Sequence, residues 1–163
     1  LQQEEFFSRP YWISLGNMQI HTKAYGILEI DERQILQFPY GLIGFEQFKT
    51  FALLDAAQQP FYWLQSLDIP EIAFILINPL LFRPDYTPDV EKEDLEELEL
   101  ESPEDLLVFT IVTIPENQVR MTANLQGPIL INRKRKIGRQ SISLNPNWQV
   151  KHVIMDELAG LRD

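Results

Sequence analysis

The sequence contains no cysteine. Disulfides, thiolate metal sites and cysteine nucleophiles are therefore excluded from its chemistry. Histidine is nearly absent too: His21 and His152 lie far apart and make no metal-ligand spacing. No long hydrophobic run exists. The longest uninterrupted apolar stretch, residues 72–77, has six residues, far short of the roughly 20 that cross a bilayer as a helix. There is no Gly-rich phosphate loop, no G-x-S-x-G elbow and no secretory layout of basic start, apolar core and small-residue cleavage site. The expectation is a soluble intracellular protein without catalysis, cofactor or metal.

What is present is a chain of 163 residues, 45% of them apolar, enough for one well-filled domain. Its net charge of -10 is localised. Residues 85–105, "DYTPDVEKEDLEELELESPED", hold eleven acids and one base, and the rest of the chain holds thirteen of each. Within that neutral remainder, "RKRKIGR" places five bases between Arg133 and Arg139. Acids crowded in one polar segment read as a solvated face rather than as paired catalytic carboxylates. The bases read as the tip of a hairpin, Arg133, Lys134 and Arg135, where charge keeps an edge soluble. Direct RNA binding through 133–139 is the competing reading. It is weakened by the lack of any Phe, Tyr or Trp in "INRKRKIGRQSISL" to stack on bases.

Most segments read as strands. "MQIHTKAYGILEI" predicts a hairpin turning at 23–26. "KTFALLD", "FYWLQS", "IAFILI", "LLVFTIVTI", "VRMTANL", "PILINR" and "QSISL" are short, rich in β-branched and aromatic residues, and separated by turn signals. This predicts a mostly β fold, a small single-domain β-barrel-like fold of short antiparallel strands with one or two short helices. One helix is expected within Asp89–Leu100, with Leu95 and Leu98 on one face. Ser102 and Pro103 have the pattern of an N-cap and a first helical residue. Residues 1–17 read as a leader or extension ahead of Met18, residues 18–147 as the domain, and 148–163 as a tail.

One connection is unusually costly. "NPLLFRPDY", residues 78–86, follows the buried run "IAFILI", and an ordinary turn needs no such apolar content. Two readings stand: Phe82 and Tyr86 fold back as a lid on the core, or the segment is a stiff rim that offers apolar anchors to a partner. In the second reading Asn78, Pro79, Phe82, Pro84, Asp85 and Tyr86 form one wall of a groove. Tyr40 or Phe45, from the Gly-rich turn "FPYGLIGFE", forms the other.

Taken in order, "YGILEIDERQILQFPYGLIGFEQFKTFALLD", "PFYWLQSLDIPEIAFILINPLLFRPDY" and "VFTIVTIPENQVRMTANLQGPILINRKRKIGRQ" resemble the flagellar assembly factor FliW family. The family's Pro-x-Gly-x-x-Gly-Phe-Glu turn is matched by Pro39, Gly41, Gly44, Phe45 and Glu46. Its Phe-x-Trp-Leu-Gln-Ser strand is matched by Phe61, Trp63, Leu64, Gln65 and Ser66, and its Asn-Pro…Phe…Pro-Asp-Tyr element by the segment above. The likeness runs from Met18 to Asn147. It implies a non-catalytic β domain that binds the C-terminal helical region of flagellin in the cytoplasm. It also implies a second partner, the RNA-binding translational repressor CsrA, which a FliW-like protein relieves from the flagellin message. A basic partner of that kind would be steered by the acidic segment.

Overall fold

The computed structural model describes residues 16–116 and 120–162. The expected leader therefore lies outside the described residues except for Gly16 and Asn17. Eleven strands are described: β1 (Asn17–Thr22), β2 (Gly26–Asp31), β3 (Ile35–Gln37), β4 (Thr50–Asp55), β5 (Tyr62–Ser66), β6 (Ala73–Ile77), β7 (Leu106–Thr113), β8 (Thr122–Ala123), β9 (Ile129–Asn132), β10 (Ile137–Gln140) and β11 (His152–Val153). Two helices accompany them, α1 (Lys92–Glu97) and α2 (Ile154–Arg162).

Seven of the strands close on themselves in the order β7-β6-β5-β4-β3-β10-β9 and back to β7. The fold is thus the mostly β barrel that the sequence predicts, with one refinement. The pairing of β3 with β10 is parallel and rests on a single position, Gln37 with Ile137, while the other pairings are antiparallel.

Strand alternation explains the core. In β4, Phe51 and Leu53 point into the barrel with Leu36, Leu64, Leu76, Phe109, Ile129 and Ile131, and the next residues over, Ala52 and Leu54, point outward. The β1–β2 hairpin, which turns where the sequence predicts, lays Ile20 and Ile30 over that outer pair. Phe38 fills the barrel beside β10. A Cβ at Gly138 would stand 2.5 Å from the Phe38 ring, so only glycine lets the strand pass.

A second apolar cluster forms outside the barrel, on the face of β6, β7 and β8. It joins Ile77, Phe82, Tyr86, Val112, Ala123, Leu125, Trp148 and Ile154. Trp148 and Ile154 belong to the segment read from sequence as a tail. That segment is packed on the body: β11 pairs with β8, and the Ile154 N–H donates to the Met121 carbonyl at 3.0 Å. The expected helix within 89–100 is α1, six residues long, with Leu98 buried and Leu95 half-buried beside it. Ser102 makes no side-chain cap, but Pro103 does open a single 3-10 turn, Pro103–Asp105.

Candidate functional site

The segment 78–86 is built as a self-capped turn. The Asn78 side-chain oxygen accepts the Leu80 N–H at 3.0 Å, and buried Pro79 starts a 3-10 turn, Pro79–Leu81. Phe82 is only 1% exposed and Tyr86 is buried with it. The Tyr86 hydroxyl donates to the Leu125 carbonyl at 2.8 Å, its ring lies 4.9 Å from that of Trp148, and burial pushes its pKa up. The picture of Phe82 and Tyr86 as outward anchors is therefore corrected: both are the lid of the second cluster. Large aromatic rings gain more by covering Val112 and Leu125 than by facing water. Leu80 and Leu81, 49% and 50% exposed, take the outward positions instead. Pro84 and Asp85 are exposed as well. Arg83 ties the segment to α2, pairing with Asp85 at 2.8 Å and Glu157 at 3.2 Å while lying 4.8 Å above the Trp148 ring. The hydrogen bond from Arg83 holds the Asp85 carboxyl below the usual carboxylate range.

Nor do Tyr40 and Phe45 form the facing wall. Phe45 is half-buried and packs edge-on against Phe74 at 5.1 Å, near the start of β6. Asn78 follows the other end of that strand. At about 3.3 Å per residue the two are separated by roughly 13 Å. Tyr40 is exposed, its ring 5.1 Å beneath the Arg139 guanidinium of β10. The eight residues thus occupy three places on the barrel.

The surface formed by the described residues holds an apolar groove, of about 570 Å³, that those eight residues do not line. Among the described residues its walls are Phe61, Trp63, Ile75, Ile114 and Met121, with Gln58 at the rim. Period-two alternation in "PFYWLQS" produces it: Tyr62 turns inward onto Phe109 at 5.2 Å, leaving Phe61 and Trp63 together on the outer face. The β5–β6 register sets Trp63 opposite Ile75. Local hydrogen bonds fix the rim. The Phe61 N–H donates to the Gln58 carbonyl and the Ala56 N–H to the Phe61 carbonyl, each at 3.1 Å. From the hairpin tip, the Tyr25 hydroxyl accepts the Ala57 N–H at 2.8 Å. Asp55, next to this loop, has its pKa raised by burial. The sequence signal for the groove is the i, i+2 spacing of Phe61 and Trp63. What sequence could not supply is the strand register that adds Ile75, or the packing that adds Ile114 and Met121.

The two charged segments meet each other. Arg139 pairs with Asp94 at 3.5 Å and with Glu97. Arg135 reaches Glu99 at 3.7 Å and Glu101 at 3.4 Å. Arg133 and Lys134 each lie 3.6 Å from Asp105, a buried carboxylate. Beneath these pairs the Asn132 side chain donates to the Leu98 carbonyl at 2.8 Å. The acidic segment is accordingly not one freely solvated face: part of it is folded down onto the basic hairpin. Glu91 and Glu93 stay exposed outside these pairs. Among the described residues no cluster of His, Asp or Glu is arranged to hold a metal ion, and no helix is long and apolar enough to cross a membrane.

Comparison with known proteins agrees with this architecture. The family model described as FliW protein matches residues 19–154. The chain is 50% identical over 141 residues to the flagellar assembly factor FliW of Treponema denticola, covering 86% of this chain and 96% of that protein. To the flagellar assembly factor FliW of Treponema pallidum it is 45% identical over 145 residues, covering 89% and 97%. A crystal structure of the flagellar assembly factor FliW superposes with a TM-score of 0.78 at 37% identity, covering 84% of this chain and 96% of that one. A shared barrel, a family match over most of the chain and identities of this size together establish that the chain belongs to the flagellar assembly factor FliW family.

Proposed function

We propose that this protein acts in flagellar assembly by binding flagellin in the cytoplasm, and that it does so by non-catalytic docking of flagellin's C-terminal helical region. The observation that carries the reading is the groove formed by Phe61, Trp63, Ile75, Ile114 and Met121. An amphipathic helix lays an apolar stripe into a groove of this kind, and aromatic walls supply most of the affinity. A small-molecule site places a few convergent polar groups, whereas the described lining of this groove is mostly apolar and aromatic. Leu80 and Leu81 add exposed apolar area on the segment that ends β6.

The same protein, when flagellin is scarce, binds the translational repressor CsrA and relieves its hold on flagellin synthesis; the two partners alternate. An acidic surface suits a repressor whose RNA-binding face is basic, and Glu91 and Glu93 remain available to steer it. Direct RNA binding through 133–139 is disfavoured, because Arg133, Lys134, Arg135 and Arg139 are each engaged by carboxylates of this chain.

Calorimetric titration of a flagellin C-terminal peptide tests the docking. Ile114 is 42% exposed, so Ile114→Asp removes groove contact without hollowing the core. One buried aliphatic side chain contributes about 1.5–3 kcal/mol, so affinity should fall by roughly ten- to a hundredfold. Unchanged affinity in a folded Ile114→Asp protein would refute docking in the groove.

A further inference from the structure

Phe61, Ile75 and Met121 of the groove wall pack back onto the second apolar cluster. That cluster takes Trp148 and Ile154 from the C-terminal segment, so the groove shares its footing with that segment. The Met121 wall has little support of its own. Met121 precedes β8, a strand of two residues, which pairs with β7 at two positions and with β11 at two. A ladder that short does not hold itself in place. The Met121 carbonyl accepts the N–H of Ile154, the first residue of α2, at 3.0 Å. Beside it Arg120 and Asp156 stand 3.9 Å apart, but both are well exposed, and such a pair contributes little. Where the wall stands therefore depends on what keeps the start of α2 against β8.

One carboxylate does this. Glu157 Oε1 accepts from His152 Nδ1 at 2.6 Å, and Glu157 Oε2 accepts from Arg83 at 3.2 Å. The imidazole is oriented by its other nitrogen. Nε2 accepts the Gln149 N–H at 2.9 Å, which leaves the proton on Nδ1, facing the carboxylate. The His152 and Glu157 side chains are only 11% and 21% exposed, so these charge-assisted bonds outweigh the solvated Arg120 pair. Arg83 is itself fixed, by Asp85 at 2.8 Å and by the Trp148 ring 4.8 Å below its guanidinium. Glu157 thus fastens α2 both to β11 and to the segment 78–86, three residues along from the Ile154 N–H that Met121 accepts.

We propose that Glu157 is a positioning residue for the groove: its clasp on His152 and Arg83 holds α2 against β8 and so keeps the Met121 wall in its docking position. The inference rests on the groove being the docking site of the proposed function. Glu157 is not itself a wall of the groove; it acts through the Ile154–Met121 hydrogen bond. With the clasp open the wall takes up other positions, and affinity falls with the fraction of molecules that keep it closed. The coupling is reciprocal, so a helix seated in the groove tightens the clasp.

The test uses the full chain and reads the wall with and without a flagellin C-terminal peptide. The chain has three methionines, Met18, Met121 and Met155, so isotope-labelled methionine methyls give a separate Met121 signal, assigned with Met121→Leu. Glu157→Gln keeps the size of the side chain and removes its charge. Without peptide it should shift or broaden the Met121 methyl and speed hydrogen exchange at the Ile154 amide. It should also weaken the peptide at least about fivefold. Met155→Ala, at an exposed position of the same helix, should leave the Met121 signal, the Ile154 amide and the peptide affinity unchanged. A residue that only stabilises the fold would lower Tm and leave the Met121 signal and the affinity of the folded protein where they are. In the unaltered protein, saturating peptide should slow exchange at the Ile154 amide at least about fivefold, which needs no folded variant. The proposal is overturned if the Met121 methyl and the Ile154 amide are unmoved in folded Glu157→Gln, if they move and the affinity does not, or if bound peptide leaves the Ile154 amide unprotected. Failure of the peptide to bind the unaltered protein refutes the docking reading instead, and the peptide-free Met121 and Ile154 readouts then decide the clasp by themselves.

Discussion

Replacing Phe82 by alanine should unfold a substantial part of this protein's stability reserve. The side chain is 1% exposed and packed in the cluster with Tyr86, Val112, Leu125, Trp148 and Ile154. Truncating a buried phenylalanine costs about 3–5 kcal/mol through lost transfer energy and the cavity left behind. A domain's whole stability is about 5–15 kcal/mol. For a domain of this size each kcal/mol moves Tm by about 2–4 °C, so Tm should fall by roughly 6–20 °C. Urea unfolding of Phe82→Ala beside Leu80→Ala supplies the comparison, because Leu80 is half exposed in the same turn. Leu80→Ala should cost about 1 kcal/mol or less, and both variants should keep the wild-type m-value. A Phe82→Ala protein within 1 kcal/mol of wild type, or a Leu80→Ala protein equally damaged, would refute the lid and restore an outward Phe82.

Tyr86→Phe strands the buried Leu125 carbonyl without its donor and should cost about 1–3 kcal/mol in urea unfolding. Gly138→Ala forces a methyl to 2.5 Å from the Phe38 ring; a Tm unaffected by it would show that β10 does not cross Phe38 this closely. Burial, with Arg33 and Arg133 nearby, lowers the Lys136 amine to about 8. The unfolded chain holds that proton more tightly, so the Lys136 contribution to stability should be lowest below pH 8 and rise between about 8 and 10.5. Subtracting the profile of Lys136→Gln should isolate that rise, and identical profiles would contradict it. Glu91→Gln with Glu93→Gln should slow association with the repressor at low salt and leave Tm unchanged, the difference fading at high salt.

Much of this fold is legible in the residues because strand alternation is a local signal. The β1–β2 turn and the mostly β architecture follow from short strand-like runs and turn chemistry, and the unbroken apolar run in "TFALLD" is buried on both faces, Phe51 and Leu53 inside the barrel and Ala52 and Leu54 under the hairpin. The parallel contact between β3 and β10 is not local, since it joins residues a hundred positions apart in sequence. The same limit applies to the charges. Glu97 and Arg139 are solvated in any sequence window, and only the packing of α1 beside β10 pairs them. In "NPLLFRPDY" the composition shows that apolar surface is spent there but not which way it faces. Tyr86 turns inward because Leu125 offers a carbonyl and Trp148 a ring, and both lie far along the chain. The i, i+2 spacing puts Phe61 and Trp63 on one face of a strand, but their groove needs Ile114 and Met121 from segments that meet only in the fold.

Hydrogen-exchange footprinting of the full chain with a flagellin C-terminal peptide tests the proposed function most directly. The groove account predicts slowed exchange in residues 57–63, 112–114 and 121–122, which form or adjoin the walls carrying Phe61, Trp63, Ile114 and Met121. Protection confined to 78–86 or to 140–144, with the groove segments unchanged at saturating peptide, would contradict it.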